Sequence, residues 1–235
     1  MCAEQFTEYT YIKDREVATW FYTVNTNPPD VNLLNAAERA HWLANLVSIL
    51  VNALDDFAQI DSIEVATSSL GEDGLSVSSD EKEELKRVDT FLRSTLDVRN
   101  INMWLSLKCA QMGTDGILEE FLIHGNGWLS IEINVGDGDF VGSSLACVAF
   151  NLETNIYSPI AKKDNRSLAA INAPRLRNFL HRLASIPSLK FDRIDDPVGY
   201  IKAAEKYGVV DSYGFKMPDD PQAFEAILKR ESANL

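Results

Sequence analysis

Residues 101–135, INMWLSLKCAQMGTDGILEEFLIHGNGWLSIEINV, carry most of the information that decides the fold. Apolar, β-branched and aromatic residues dominate this stretch, and glycine-containing breaks interrupt it at 113–116 and at Asn126-Gly127. Asn-Gly between two such runs is the strongest short signal for a two-residue hairpin. The stretch and its continuation therefore predict an antiparallel meander over about 101–151, with four strands at 101–112, 117–124, 128–135 and 143–151.

The segment upstream of the meander begins with a strand and a long helix. Residues 16–25 are rich in β-branched and aromatic side chains and predict an N-terminal strand, which a Thr-Asn-Pro-Pro-Asp segment ends. Over about 33–59, apolar residues recur at spacings of three and four and cover most of the helix circumference, which predicts a long buried helix. Residues 62–67 predict a short strand, and the capping box Ser78-x-x-Glu81 predicts a helix over 80–96.

Helices return after the meander. Asn172-Ala173-Pro174 predicts the start of a helix that runs to about 184, and residues 155–160 predict a last strand before it. Two Asp-Pro pairs, at 196 and 220, predict two further helix starts. Consecutive strands joined by short turns and flanked by helices indicate an α+β fold, with an antiparallel β-sheet packed against several α-helices. We expect one domain over 1–235, with the weakest point for a subdomain boundary at 96–100.

The composition and the cysteines limit where the chain works. The most apolar stretch, 42–54, is 13 residues long and contains Asn45, Ser48 and Asn52, whereas a membrane-spanning helix needs about 20 apolar residues. The first residues lack the basic and apolar regions of a secretory signal. Three cysteines, at 2, 109 and 147, have no metal-ligand spacing and indicate free thiols. These features predict a cytoplasmic protein that does not enter a membrane.

The net charge of −13 is unevenly distributed. Residues 109–161 contain seven acids and no Lys or Arg, whereas 161–206 contain ten bases and five acids. A strongly acidic surface repels nucleic acid and attracts basic partners. The basic segment over 162–193 has two readings, an anion site or an internal counter-charge, and internal pairing with acidic neighbours is the favoured one.

Tests for known site chemistry give no catalytic, metal or cofactor site. Asp137 and Asp139 lie in a glycine-rich segment that begins like a calcium loop, but Val141 and Val148 occupy ligand positions of that loop. His41 lies mid-helix among apolar residues and predicts a hydrogen-bonded core histidine, whereas His124 is expected at the surface beside the hairpin turn. No histidine spacing fits a zinc site, and no G-x-S-x-G is present.

The remaining candidates are carboxylates and an aromatic side chain on the predicted strands. Glu119 and Glu120 lie on one strand and Glu132 lies on its predicted hairpin partner. Such carboxylates serve acid–base chemistry or metal binding, form a solvated sheet face, or form a docking surface for a cationic partner. We assign Glu119, Glu120, Glu132, Asp137, Asp139 and Trp128 to a partner-binding surface, with the aromatic residue as an anchor.

The leading functional hypothesis is an acidic, protein-binding inhibitor, namely a bacterial immunity protein that neutralises a basic toxin. An acidic inhibitor gains fast, electrostatically steered association with a basic partner. The alternative from another class is a hydrolase or transferase with a dispersed site at Glu119, Glu132, Asp137, Asp139 and His124. A third hypothesis is a nucleic-acid mimic that blocks a DNA-binding protein. The sequence predicts no oligomeric state.

Overall fold

A computed structural model describes residues 18–24, 34–67, 75–78, 82–95, 98–133, 146–154, 156–157, 166–195, 210–211 and 214–215. Within these ranges the elements follow one another as β1 (Ala18–Val24), α1 (Ala36–Leu54), β2 (Ala58–Thr67), β3 (Leu75–Ser78), α2 (Lys82–Ser94), β4 (Val98–Met112), β5 (Leu118–Ile133), β6 (Ala146–Leu152), α3 (Arg166–Ser185), β7 (Leu189–Asp195), β8 (Val210–Asp211) and β9 (Gly214–Phe215).

Seven of the strands form one antiparallel sheet in the order β3-β2-β4-β5-β6-β1-β7. The predicted α+β class with an antiparallel sheet is therefore confirmed. The N-terminal strand β1 lies between β6 and β7. The edge strand β7 was not predicted, because LKFDRID is mostly polar and only Leu189 in it is buried.

The two faces of the sheet have different compositions. On the inner face, a row of buried apolar side chains runs across neighbouring strands, and its members are Ile63, Met103, Leu129, Phe150 and Trp20. The buried sides of the helices join this core. Phe179 of α3 stacks on Phe57 with ring centroids 4.4 Å apart. On the opposite, outer face of β1, β5 and β6 lie small and polar residues that are also buried, and they are Thr19, Ser130, Ala149 and Asn151.

The helices lie where the sequence predicts them, but some of their first and last residues differ from the prediction. In α1, Asn35 and Glu38 form a reciprocal capping box, with both hydrogen bonds 3.0 Å long. This helix ends at Leu54 and not at 59, because a turn follows and β2 begins at Ala58. One side of it is buried and the other is exposed, so the prediction of burial holds for one face only. The predicted helix over 80–96 is confirmed as α2.

Helix α3 begins earlier than predicted. It starts at Arg166, so Asn172 and Pro174 lie inside it. The buried Asn172 side chain holds the edge of β4 by accepting from the Ala110 N–H and donating to the Ala110 carbonyl, both at 2.8 Å. The helix thereby covers part of a strand edge that β2 does not reach, since β2 pairs with β4 only as far as Leu107.

The hairpin predicted at Asn126-Gly127 is wrong. Strand β5 runs without a turn through this dipeptide, and the hairpin that joins β4 to β5 turns at 113–116, where Gly116 has a φ of 79°. Three residues, His124 to Asn126, bulge opposite Ser106, and Gly125 there has a φ of 67°. The glycine at 127 continues the strand; a Cβ on it would lie 3.3 Å from both the Asn151 carbonyl oxygen and a Leu107 methyl group.

Several predictions lie outside the described residues, namely the helices after 196 and 220 and the glycine-rich connection at 136–142. In the segment predicted as a last strand, Ile156 and Tyr157 form a turn. None of the described helices is long and apolar enough to cross a membrane.

Candidate functional site on the outer face of the β4–β5 hairpin

Exposed apolar side chains are concentrated on the β4–β5 hairpin. In the described part of the chain, six large hydrophobic residues are exposed to solvent. One of them, Ile49, lies on α1. The other five lie on the hairpin, and they are Trp104, Met112, Ile117, Leu118 and Leu122. Exposed apolar side chains that cluster in one place mark interaction sites, whereas scattered ones need no explanation.

The register places most of these side chains on one side of the hairpin. Trp104 pairs with Trp128, and Met112 pairs with Leu118. Ile123 is buried in the core, so Leu122 and Leu118 point to the opposite, outer face. We call these five residues of the outer face the hairpin stripe: Trp104, Trp128, Leu122, Leu118 and Met112.

The two tryptophans form the end of the hairpin stripe that is farthest from the turn at 113–116. Their ring centroids are 5.5 Å apart and their planes are inclined by 44°. Trp104 is 36% exposed and Trp128 is half-buried. Behind Trp128, on the neighbouring strand, lies Asn151, which is itself held by a 2.6 Å hydrogen bond from Thr19. Trp128 thus has Asn151 beside it on β6, whereas Trp104 has the small Ser62 opposite it on β2.

A hydrogen-bonded trio fixes the strand bulges next to the tryptophans. The buried Ser106 hydroxyl lies 2.6 and 2.7 Å from the carboxylate oxygens of Asp61 and 2.6 Å from Nδ1 of His124. Both flanking residues lie in bulges of the strands on either side of β4. The hydroxyl donates to the carboxylate and accepts from the Nδ1–H of the imidazole. The trio therefore ties β2, β4 and β5 together at one level of the sheet.

This trio does not have the order of a nucleophilic triad. In such a triad the carboxylate orients the histidine, and the histidine takes the proton of the hydroxyl. Here the carboxylate of Asp61 contacts the hydroxyl directly, and Ser106 has no exposed surface from which it could reach a substrate. The arrangement therefore positions the bulges and leaves the His124 ring at the surface.

The outer face around the tryptophans is acidic. The outer positions of β2, β4 and β5 here are Ser62, Glu64, Ala66, Asn100, Asn102, Trp104, Trp128, Ser130 and Glu132. Among these described residues two are glutamates and none is lysine or arginine. The carboxylate of Asp61 adds a third negative charge beside Ser62. At these positions the outer face therefore carries negative side chains and no positive one, whereas Lys108 lies opposite Leu122 nearer the hairpin turn.

Two of the predicted glutamates have partners within the chain. Glu119 lies on the inner side of the hairpin, where its carboxylate accepts a 3.1 Å hydrogen bond from Gln111. Glu120 lies on the outer side, and an oxygen of its carboxylate is 2.5 Å from Nη2 of Arg175. The guanidinium lowers the pKa of the Glu120 carboxyl below its ordinary value. Arg182 pairs with Asp56 in the same way at 3.1 Å, so arginines of the basic segment pair internally.

The structure brings together only part of the predicted site. Trp128 and Glu120 share the outer face of the hairpin, and Glu132 lies on the same face at the far end of β5. Asp137 and Asp139 lie outside the described residues. The sequence reading missed the four other members of the hairpin stripe. The run Ile117-Leu118 and Phe121-Leu122-Ile123 was a usable signal, because adjacent apolar residues in a strand place one of them on the polar face.

The groups considered for catalysis do not assemble in the described part of the chain. His124 lies in the bulge, whereas Glu132 and the facing Cys147 lie at the other end of β5. Burial raises the pKa of the Cys147 thiol to about 11 and that of Cys109 to about 12, which disfavours the nucleophilic thiolate. Among the described residues no group of three or more His, Cys, Asp or Glu is placed to hold a metal ion.

Two further features lie on helices α1 and α2. The prediction of a core histidine at 41 is wrong, because His41 is exposed on α1 and its Nδ1 lies 2.5 Å from Nη1 of Arg93 on α2. A groove of about 500 Å³ lies between these helices, with Val47, Val51, Leu85 and Leu92 among its lining residues.

Comparison of the chain with protein-family models, with curated proteins and with solved structures finds no match.

Proposed function

We propose that this chain is an acidic binding protein that docks the hairpin stripe onto a basic protein partner. We propose further that it acts as an inhibitor, with a bacterial toxin as that partner. The observation that carries the proposal is the concentration of exposed large apolar side chains on one hairpin, five of six in the described residues. Aromatic anchors surrounded by polar groups are typical of the energetic centre of protein interfaces.

Charge supports a basic partner. The chain has a net charge of −13, and Glu64 and Glu132 share the outer face with the tryptophan pair. Such a field accelerates association with a cation-rich protein and disfavours nucleic acid as a direct ligand. The apolar stripe supplies the short-range part of the affinity, which salt does not screen.

Capture of partners from the native host lysate tests the binding proposal. The baits are the wild-type chain, a Leu118→Ser/Leu122→Ser variant and an Ile49→Ser variant, each at low and at high salt. Ile49 is the matched control because it is an exposed apolar residue on α1, outside the hairpin. We expect one basic protein to be retained at equal stoichiometry by the wild type and the control, and to be lost with the hairpin variant.

The salt dependence and the inhibitory role have their own outcomes. Retention should weaken as salt rises, since surface charge pairing is screened. Equal capture by the hairpin variant, or a partner whose retention does not change with salt, would contradict the proposal. Expression of the captured partner alone should arrest growth, and coexpression of the wild-type chain but not of the hairpin variant should restore it. A partner without effect on growth would remove the toxin from the proposal.

A further inference from the structure

On the outer face of the sheet, the exposed ring of Trp104 lies beside a small side chain. This small residue is Ser62, which pairs with Trp104 from the neighbouring strand β2. The serine is small, so the side of the indole ring that faces β2 has no large neighbour in register with it. On the other side the ring is backed by Trp128, with ring centroids 5.5 Å apart. We call these four residues the Ser62 recess: Asp61, Ser62, Glu64 and Trp104.

Two carboxylates stand at the ends of this recess. Glu64 is exposed and pairs with Asn102, so it lies diagonally from Trp104 on the same face. Diagonal neighbours of an antiparallel pair are about 7–8 Å apart, within reach of a long side chain. At the other end, the Asp61 carboxylate is held by the Ser106 hydroxyl at 2.6 and 2.7 Å. The hydroxyl is a neutral donor, so it brings no positive charge to the carboxylate.

We propose that the Ser62 recess binds an arginine side chain. An indole ring attracts a cation above its face, and carboxylates at the margin add a second attraction for the same cation. The planar guanidinium suits this geometry better than the ammonium of lysine, because it stacks on the ring and presents several donors at its edge. This inference rests on the proposed function and deepens it, because the arginine would belong to the basic partner. It names the side chain of the partner that the Ser62 recess binds.

The test uses small probes and the full chain, so it does not need the partner. N-acetyl-arginine amide is titrated into the ¹⁵N-labelled protein while the indole N–H signals of Trp20, Trp42, Trp104 and Trp128 are followed by NMR. N-acetyl-citrulline amide has nearly the same shape without the charge, and N-acetyl-lysine amide has the charge without the plane. The buried Trp20 and the α1 residue Trp42 are internal controls.

We expect saturable shifts of the Trp104 and Trp128 signals with the arginine probe, and none with the citrulline probe. Exposed cation–π contacts contribute about 0.5–1 kcal/mol, so Glu64→Gln and Trp104→Leu should each weaken binding by about threefold or more. Asp192→Asn changes the net charge equally on β7, outside the recess, and should leave the affinity unchanged. The remaining indole signals report whether each variant is folded.

Three results would overturn the arginine assignment: no shift at tens of millimolar probe, equal shifts with citrulline, or equal affinity for lysine. A failure here is distinguishable from failure of the proposed function. Suppose that the hairpin variant fails to capture the basic partner from lysate, while the arginine probe does not bind the recess. The hairpin stripe then remains the docking surface, and the recess does not contribute to binding. If the recess binds arginine but no partner depends on the hairpin stripe, the proposed function fails and the site remains.

Discussion

Ser106 shows how one hydroxyl can organise a surface on three strands. It is wholly buried and bridges Asp61 of β2 and His124 of β5, each of which lies in a bulge. We predict that Ser106→Ala lowers the free energy of unfolding by about 1–2 kcal/mol, because a carboxylate and an imidazole lose a shared partner. Denaturation in urea measures this loss. Ser130→Ala, a matched change on the same face, should cost less, and an equal loss would contradict the account.

The two described cysteines give a prediction at the same scale. Burial raises the thiol pKa of Cys109 to about 12 and that of Cys147 to about 11, against an ordinary value near 9. We expect neither thiol to react rapidly with a disulfide reagent at pH 8 in a Cys2→Ser variant, and both to react after unfolding. Rapid labelling of the folded protein would show that a thiolate is accessible.

These raised pKa values also set a direction for stability. The folded chain keeps both protons at pH values where the unfolded chain loses them. The free energy of unfolding should therefore be unaffected by these groups below about pH 8 and fall as the pH rises through about 9 to 11. Replacing both residues by alanine should flatten this decline, which thermal unfolding across that pH range would reveal.

Single residues of the surface were only partly predictable. Trp128 and Glu120 were identified because aromatic and acidic residues on predicted strands suit an interface. The Ser62 recess was not, since Ser62 and Trp104 are far apart in sequence and meet through a register that a bulge at Asp61 sets. Such a register depends on the whole sheet, and no local pattern in either strand specifies it.

At the scale of elements, α3 and β4 depend on one amide. Asn172 bonds both backbone groups of Ala110, and both residues are fully buried. We predict that Asn172→Ala costs at least about 2 kcal/mol, because two buried backbone groups lose their partner. Urea denaturation and hydrogen exchange of the Ala110 amide measure the effect. The exposed Asn178→Ala on the same helix is the control, and equal losses in the two variants would refute the role of the amide.

The element predictions succeeded where periodicity was strong and failed where turn chemistry misled. The amphipathic pattern located α2 closely, whereas the end of α1 was placed too late because β2 opens with apolar residues. Asn126-Gly127 predicted a hairpin turn, but in the structure this dipeptide is part of a bulged strand. The bulge accommodates Gly125 with a positive φ, and the Asn126 side chain bonds to the His124 carbonyl at 2.7 Å. Pairing of β5 with both β4 and β6 decided this outcome, which is a tertiary effect.

At the scale of the whole molecule, arginines are paired within the chain, whereas acidic side chains remain on the outer face beside the apolar rings. Arginines of α3 pair with Glu120 and Asp56, while the face around Trp104 keeps its carboxylates. The composition gives the sign of the net charge. The uneven distribution of acids and bases along the chain predicted that the basic segment pairs internally. The sequence could not predict that five of the six exposed large apolar side chains in the described part of the chain lie on one hairpin, because exposure depends on how the elements pack.

Hydrogen–deuterium exchange of the complex with the captured partner tests the central claim most directly. We predict that binding slows exchange in peptides that span Trp104 to Trp128, which includes the hairpin turn. Peptides of α1 and α2 around the interhelical groove should be unchanged. Protection confined to these two helices, with no change along β4 and β5, would contradict the assignment of the hairpin stripe as the binding surface.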